Sequence, residues 1–363
     1  MAAAAPSPSP QVVELVHRGV GHTVHAVKWL PGTAKFVALG CQLRGTGMLQ
    51  VFELDGGELH VAAQAEQPAS LKCGAFGAGA GAAHLALGDF AGQLQLLDLD
   101  QPGSGPLFSI QAHRGIVNAL DACGDRDGGC GPPAIATAGA DGGVRVWDPR
   151  APAAPTAAFL PAEGAAQRDC WCVAFGDAHD GEGQCLLAGY DNGDVKMFDL
   201  RGGGAAVRWQ TNVAKGVCSV QFDRRDIPMN KFVATCLQAQ LCLFDARTQH
   251  PTNGFAAQLT QLQRDATLWG VHHLPQNRDL FMVAGGDGSL ALHKYCYPDQ
   301  RAVDDGKGQK MGVVGHAELV CERSISCQPV SGFDWSPDKA GLFAAAAFDQ
   351  TVRVGVVSRL AAL

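Results

Sequence analysis

Short apolar runs alternate along the chain with turns rich in Gly, Asp and Pro, at a steady spacing. The clearest unit is AIATAGADGGVRVWD at 134–148. It reads as an apolar strand with a small-residue finish, a tight turn on Asp141-Gly142-Gly143, and an alternating strand that ends at Trp147-Asp148. The pattern recurs six more times, its bulky terminal position falling at Phe52, Leu97, Trp147, Phe198, Phe244 and His293, with Gly355 in that place in the last unit. The intervals are 45, 50, 51, 46, 49 and 62 residues. Each unit is led by another apolar strand, such as VHAVKW at 24–29 or CWCVAF at 170–175, and a more polar strand such as ELHVAAQ at 58–64 follows it.

Seven units of four strands predict an all-β chain closed into a single seven-bladed β-propeller, with four antiparallel strands per blade. Radial packing accounts for the pattern: strands between neighbouring blades become apolar throughout, while peripheral strands alternate. A ring avoids open sheet edges only if it closes. The seventh unit runs out soon after its third strand, whereas QVVELVH at 11–17 is a spare strand before the first unit. It is expected to serve as the outer strand of the last blade. The propeller then covers 11–363, and the Ala/Ser/Pro-rich residues 1–10 form a disordered tail. The polar, Gly-rich segment 298–316 falls in the longest interval and is expected to be a mobile loop.

Composition narrows the function classes. A net charge of −7 gives no general basic face for nucleic acid, and the longest apolar runs are strand-sized, too short to cross a membrane as helices. The 13 cysteines are odd in number and scattered, as expected of reduced thiols in the cytosol or nucleus. The N-terminus has neither the basic region nor the apolar core of a secretory signal.

No motif for phosphate-loop hydrolysis, zinc-protease or serine-hydrolase chemistry occurs, so no catalytic, cofactor or metal residue is assigned and the chain is read as no enzyme. The Gly-rich GAFGAGAGAA at 74–83 lacks the lysine of a phosphate cradle and reads as a loop. Cys170 and Cys172 read as buried thiols, Cys123 and Cys130 as flanking a surface insertion, and His272-His273 as packing residues. Arg224-Arg225, beside Asp223 and Asp226, reads as a balanced turn, and His316-Ala317-Glu318 stops short of the usual metal spacings.

The repeat register points to a partner-binding face. Loops entering the inner strands and turns before the third strands meet at one end of a propeller, its narrow face. The second positions of the inner strands give His25, Lys72, Val117, Trp171, Cys218, Trp269 and Ser331. The positions before the turns give Gly45, Phe90, Ala140, Asp191, Leu237, Gly286 and Phe348. Trp171, Trp269, Phe90 and Phe348 are either binding anchors or plugs between blades. Tyr190, Arg44, Arg114, Arg168, Lys215 and Arg264 are expected as a rim around them.

The units resemble WD repeats in general. By that resemblance His113, Thr137, Asp141 and Trp147 form the family's structural hydrogen-bond tetrad, with Asp287 and Asp349 at the aspartate position of units six and seven and Asn192 in unit four. Longer strings, including RDCWCVAFG at 168–176, TQHPTNGFA at 248–256, HLPQNRDLF at 273–281 and DWSPDKAGL at 334–342, resemble the Monad family of WD-repeat proteins, known as dynein axonemal assembly factors. That resemblance implies a non-catalytic, cytoplasmic adaptor without cofactors. Its implied partners are proteins: axonemal dynein heavy chains, a heat-shock chaperone, and an AAA+ co-chaperone complex with prefoldin-like subunits. The other reading is a substrate-recognition propeller of a ubiquitin ligase, or a general signalling scaffold.

Overall fold

The second strands of the units carry the core. AIATAG, CLLAGY, KFVATC and LFAAAA are buried at every residue, as sandwiching between sheets requires. In contrast, the outer strand Glu58–Gln67 alternates between buried or half-buried and exposed positions. A computed structural model describes residues 9–101, 104–124, 132–164, 166–178, 184–201 and 206–360. Residues 1–8 and Cys130 lie outside them.

Seven four-stranded antiparallel sheets form the blades. Blade one runs from Thr23–Trp29 to Glu58–Gln67, blade two from Leu71–Phe76 to Phe108–Gln111, and blade three from Val117–Cys123 to Ala157–Phe159. Blade four runs from Cys170–Gly176 to Ala206–Asn212, and blade five from Val217–Phe222 to Gly254–Gln261. Blade six takes Leu268–Leu274, Asn277–Gly285, Ser289–Cys296 and His316–Ser324. Blade seven joins Val330–Trp335, Leu342–Ala347 and Thr351–Ser358 to the N-terminal strand Gln11–Gly19.

That last pairing closes the ring, running from Gln11 opposite Ser358 to Gly19 opposite Thr351. The closing strand also grips both neighbours. Arg18 donates to the Leu59 carbonyl of blade one at 2.6 Å, and Arg323 of blade six donates to the Val12 carbonyl at 3.1 Å. Val12 itself is buried among Leu274, Leu280 and Met282 of blade six.

Polar side chains staple the inner strands to one another. The Asp334 carboxylate accepts from the Trp29 N–H at 2.8 Å, Asp121 from Phe175 N–H at 2.9 Å, and the Gln221 amide oxygen from His273 N–H at 2.6 Å. Each links one blade to the next and satisfies a backbone donor that no strand partner reaches.

The segment 298–316, expected as a mobile loop, contains regular structure. Ala302–Asp304 and Lys310–Gly312 pair as a two-stranded hairpin lying against the third strand of blade five, Gln240–His250. Buried charge anchors it. Lys231 is fully buried and binds Asp223 at 3.0 Å, Asp279 at 2.8 Å and the Tyr297 hydroxyl at 2.8 Å. Arg301 lies 4.6 Å over the Tyr297 ring and donates to the buried Asp245 at 3.0 Å, while His250 meets Asp305 at 3.2 Å.

Candidate functional site

Every inner strand carries a register shift near its start: between Val24 and Ala26, Leu71 and Cys73, Val117 and Ala119, Cys170 and Cys172, Val217 and Ser219, Leu268 and Gly270, and Val330 and Gly332. A bulge leaves one residue without a partner and re-aims its side chain. Seven bulges therefore place His25, Lys72, Asn118, Trp171, Cys218, Trp269 and Ser331 around one mouth of the central channel. All seven are half-buried or exposed. Sequence register put Val117 in blade three's place; Val117 is fully buried, and the bulged residue is Asn118.

A second ring follows from backbone hydrogen bonds. The N–H of Phe90 donates to the Ser70 carbonyl, that of Ala140 to Ile116, Asp191 to Asp169, Leu237 to Gly216, Gly286 to Thr267 and Phe348 to Pro329. In blade one the equivalent position is Cys41, opposite Thr23, rather than Gly45, which lies in a longer turn closed by Gln42 and Thr46.

Aromatic groups meet across blades one, two and seven. The His25 ring stands 5.3 Å from Phe90 and 6.1 Å from Phe348. Burial, followed by the charge of Lys72, lowers His25 to a pKa of about 4, so its ring is neutral at pH 7. Phe348 remains 42% exposed and Trp269 45% exposed. Trp171 is half-buried against Gly216, where a Cβ would meet its ring at 2.8 Å. Exposed aromatics gathered at one mouth form an apolar surface that water solvates poorly.

Rim residues divide. Arg44 is exposed and pairs with Glu66, Arg114 and Arg168 are exposed, and Lys215 donates to Gln238. Tyr190 is corrected: it is only 6% exposed, in the core between blades three and four, with Lys196 4.8 Å over its ring. Arg264 is also less free than a rim residue, because it binds Ser289 at 2.8 Å, Asp287 at 3.4 Å and Glu322 at 2.5 Å.

The turns behind the mouth have their own polar supports. In blade three, His113 Nδ1–H donates to Asp141 at 2.8 Å, while the Thr137 hydroxyl donates to His113 Nε2 at 2.8 Å. The Thr137 oxygen accepts from the Trp147 indole at 3.0 Å. Burial alone would raise the Asp141 carboxyl, yet the His113 contact and the N–H groups of Arg114 and Gly143 hold it well below the usual range. Asp287 is held by Arg264 instead, and Asp349 by Ser326 at 2.8 Å and Arg353 at 3.1 Å. Asn192 caps its turn by accepting from Asp194 N–H at 3.1 Å.

The opposite end of the channel opens into a cavity of about 710 Å³. Its charges are paired within the protein: Lys28 with Asp334 at 3.4 Å, Arg225 with Asp121 at 3.2 Å, and Arg224 with Asp226. Burial lowers His272 and His273 to pKa values of about 3, so these too are neutral packing groups at pH 7. Cys123, Cys170 and Cys172 are buried, and burial drives the thiols of Cys170 and Cys172 strongly toward the protonated form.

Comparison with known proteins agrees with the architecture. Residues 104–148 match the family described as WD domain, G-beta repeat. A Chlamydomonas reinhardtii protein named dynein axonemal assembly factor 10 is 55% identical over 97% of this chain and 98% of its own length. The chain belongs to the dynein axonemal assembly factor 10 family. The Homo sapiens member is 47% identical, again over 97% of this chain and 98% of its own. A more distant member of the family, from Dictyostelium discoideum, is 24% identical over 70% of this chain and 65% of its own.

Proposed function

We propose that the protein is a cytoplasmic, non-catalytic adaptor in the assembly of axonemal dyneins, and that it binds its partners through the bulge-lined mouth. The observation that carries the functional half is full-length identity of 55% to a relative bearing the name dynein axonemal assembly factor 10. The mouth supports the other half: Trp269, Phe348, Phe90 and Trp171 form an aromatic surface, and Arg44, Arg114 and Arg168 lie exposed at the rim. Aromatic groups and arginines are the side chains that dominate binding energy at protein interfaces.

On this reading the partners are axonemal dynein heavy chains and the machinery that folds them: a heat-shock chaperone and an AAA+ co-chaperone complex with prefoldin-like subunits. No membrane or nucleic-acid partner is invoked. Among the described residues no helix is long and apolar enough to cross a membrane. Tandem purification of the tagged full-length protein from a ciliated cell, followed by mass spectrometry, tests the proposal. Recovery of dynein heavy chains with the AAA+ co-chaperones is the expected outcome. Recovery of cullin-adaptor proteins in their place would make the chain a substrate receptor of a ubiquitin ligase.

A further inference from the structure

Blade six carries a side-chain cluster at its outer strands, at the end of the blade opposite the mouth. Cys296 ends the third strand and lies directly across from His316, the first residue of the outer strand. Glu318 is two residues further on, and side chains two apart on a strand share a face. The Cys296 sulfur, a His316 ring nitrogen and a Glu318 carboxylate oxygen all lie within 4.8 Å of one another. His316 Nε2 and Glu318 Oε1 are 3.3 Å apart. Two ligands held ~2.0–2.1 Å from one tetrahedral ion stand about 3.3–3.4 Å apart, so this pair is already at ligand spacing.

The backbone beneath the cluster is fixed. Gly315 N–H donates to the Tyr295 hydroxyl at 2.7 Å, and a Cβ on Gly315 would fall 2.0 Å from the Cys296 carbonyl oxygen. His316 is thus seated over Cys296 by a contact that only glycine allows. The motif His316-Ala317-Glu318 has no metal spacing for a helix, but on a strand it supplies two ligands to one side, and the third comes from the adjacent strand. Lys294 faces Glu318 across the same strand pair, so an ion there shares the carboxylate with a neighbouring ammonium. The donor set of thiolate, imidazole and carboxylate suits zinc better than calcium or magnesium, which prefer oxygen ligands alone.

We propose that Cys296, His316 and Glu318 bind one Zn²⁺ ion, with water as the fourth ligand. Binding releases the thiol proton to solvent as the sulfur–metal bond forms, with no change of oxidation state. The site is separate from the mouth and does not depend on the adaptor reading.

Cobalt(II) titration of the metal-stripped, reduced full-length protein tests it. The expected result is one equivalent of Co²⁺ giving thiolate-to-cobalt charge-transfer absorption that added Zn²⁺ bleaches. Cys296→Ser should abolish that absorption. His316→Ala, which keeps the thiol, should weaken Co²⁺ binding about tenfold or more. Circular dichroism of each variant checks that the propeller is folded. Absence of the band in the unaltered protein, or a band of equal strength in Cys296→Ser, overturns the proposal.

Discussion

Trp171 and Trp269 occupy the same bulged position, yet their truncation is expected to read out differently. Trp269 is 45% exposed, so Trp269→Ala should change stability by less than about 1 kcal/mol. If it anchors a partner, the same change weakens binding by about 2 kcal/mol, some 30-fold. Trp171 packs on Gly216, and Trp171→Ala should lower stability by about 1–3 kcal/mol as well as binding. Melting temperature and partner recovery on the same purified variants separate the effects; full recovery with folded Trp269→Ala removes that residue from the interface. Both tryptophans were legible at the mouth because the repeat register marks the start of each inner strand. Asn118 was not, since the apolar run of blade three begins at Ile116, one residue before the strand Val117–Cys123, and counting from it lands on Val117. Tyr190 misled for a related reason: register gives a residue's place on the strand, but the burial of its ring is set by Lys196 and the blade three contacts.

Among the elements, the closing strand and the hairpin make opposite demands on a sequence reading. The closing strand was legible because an unpaired seventh blade needs a fourth strand and Gln11–Gly19 alternates as one. Removing residues 1–10 should leave the melting temperature nearly unchanged. Removing 1–19 strips the Arg18 and Val12 contacts and exposes a sheet edge, and should lower it by roughly 5–10 °C. Equal melting of the two truncations would contradict the clasp. The hairpin escaped because strands of three residues are too short to show a period, and because its anchors, Asp245 and His250, lie more than fifty residues earlier. Limited trypsin digestion should cut first at the exposed tip, at Lys307, and the fragments should stay together. Arg301→Ala releases the Asp245 contact and should speed that cut several-fold; an unchanged rate would mean that Arg301 does not hold the hairpin.

At the scale of the whole molecule, buried neutral histidines tie stability to pH. His25 and His293 are lowered to about 4, and His272 and His273 to about 3, chiefly by burial. These are basic groups whose folded pKa lies below the unfolded value of about 6.5. The unfolded chain therefore takes up protons that the folded chain refuses, and stability falls as pH drops below about 6.5. By pH 5 the loss is about 1–2 kcal/mol for each such histidine. Urea unfolding at pH 7.5 and pH 5 checks this, and His273→Gln should flatten the difference; a pH-independent midpoint would show that these rings are not held neutral. Ring closure bears on time as well as stability. Gln11–Gly19 leaves the ribosome long before its partner, Thr351–Ser358. At ~5–20 residues per second, the gap between them is tens of seconds of synthesis. Throughout it the early strand has no partner to pair with. A protein proposed to help others reach their finished form is itself, until Thr351–Ser358 is made, a ring still to be joined.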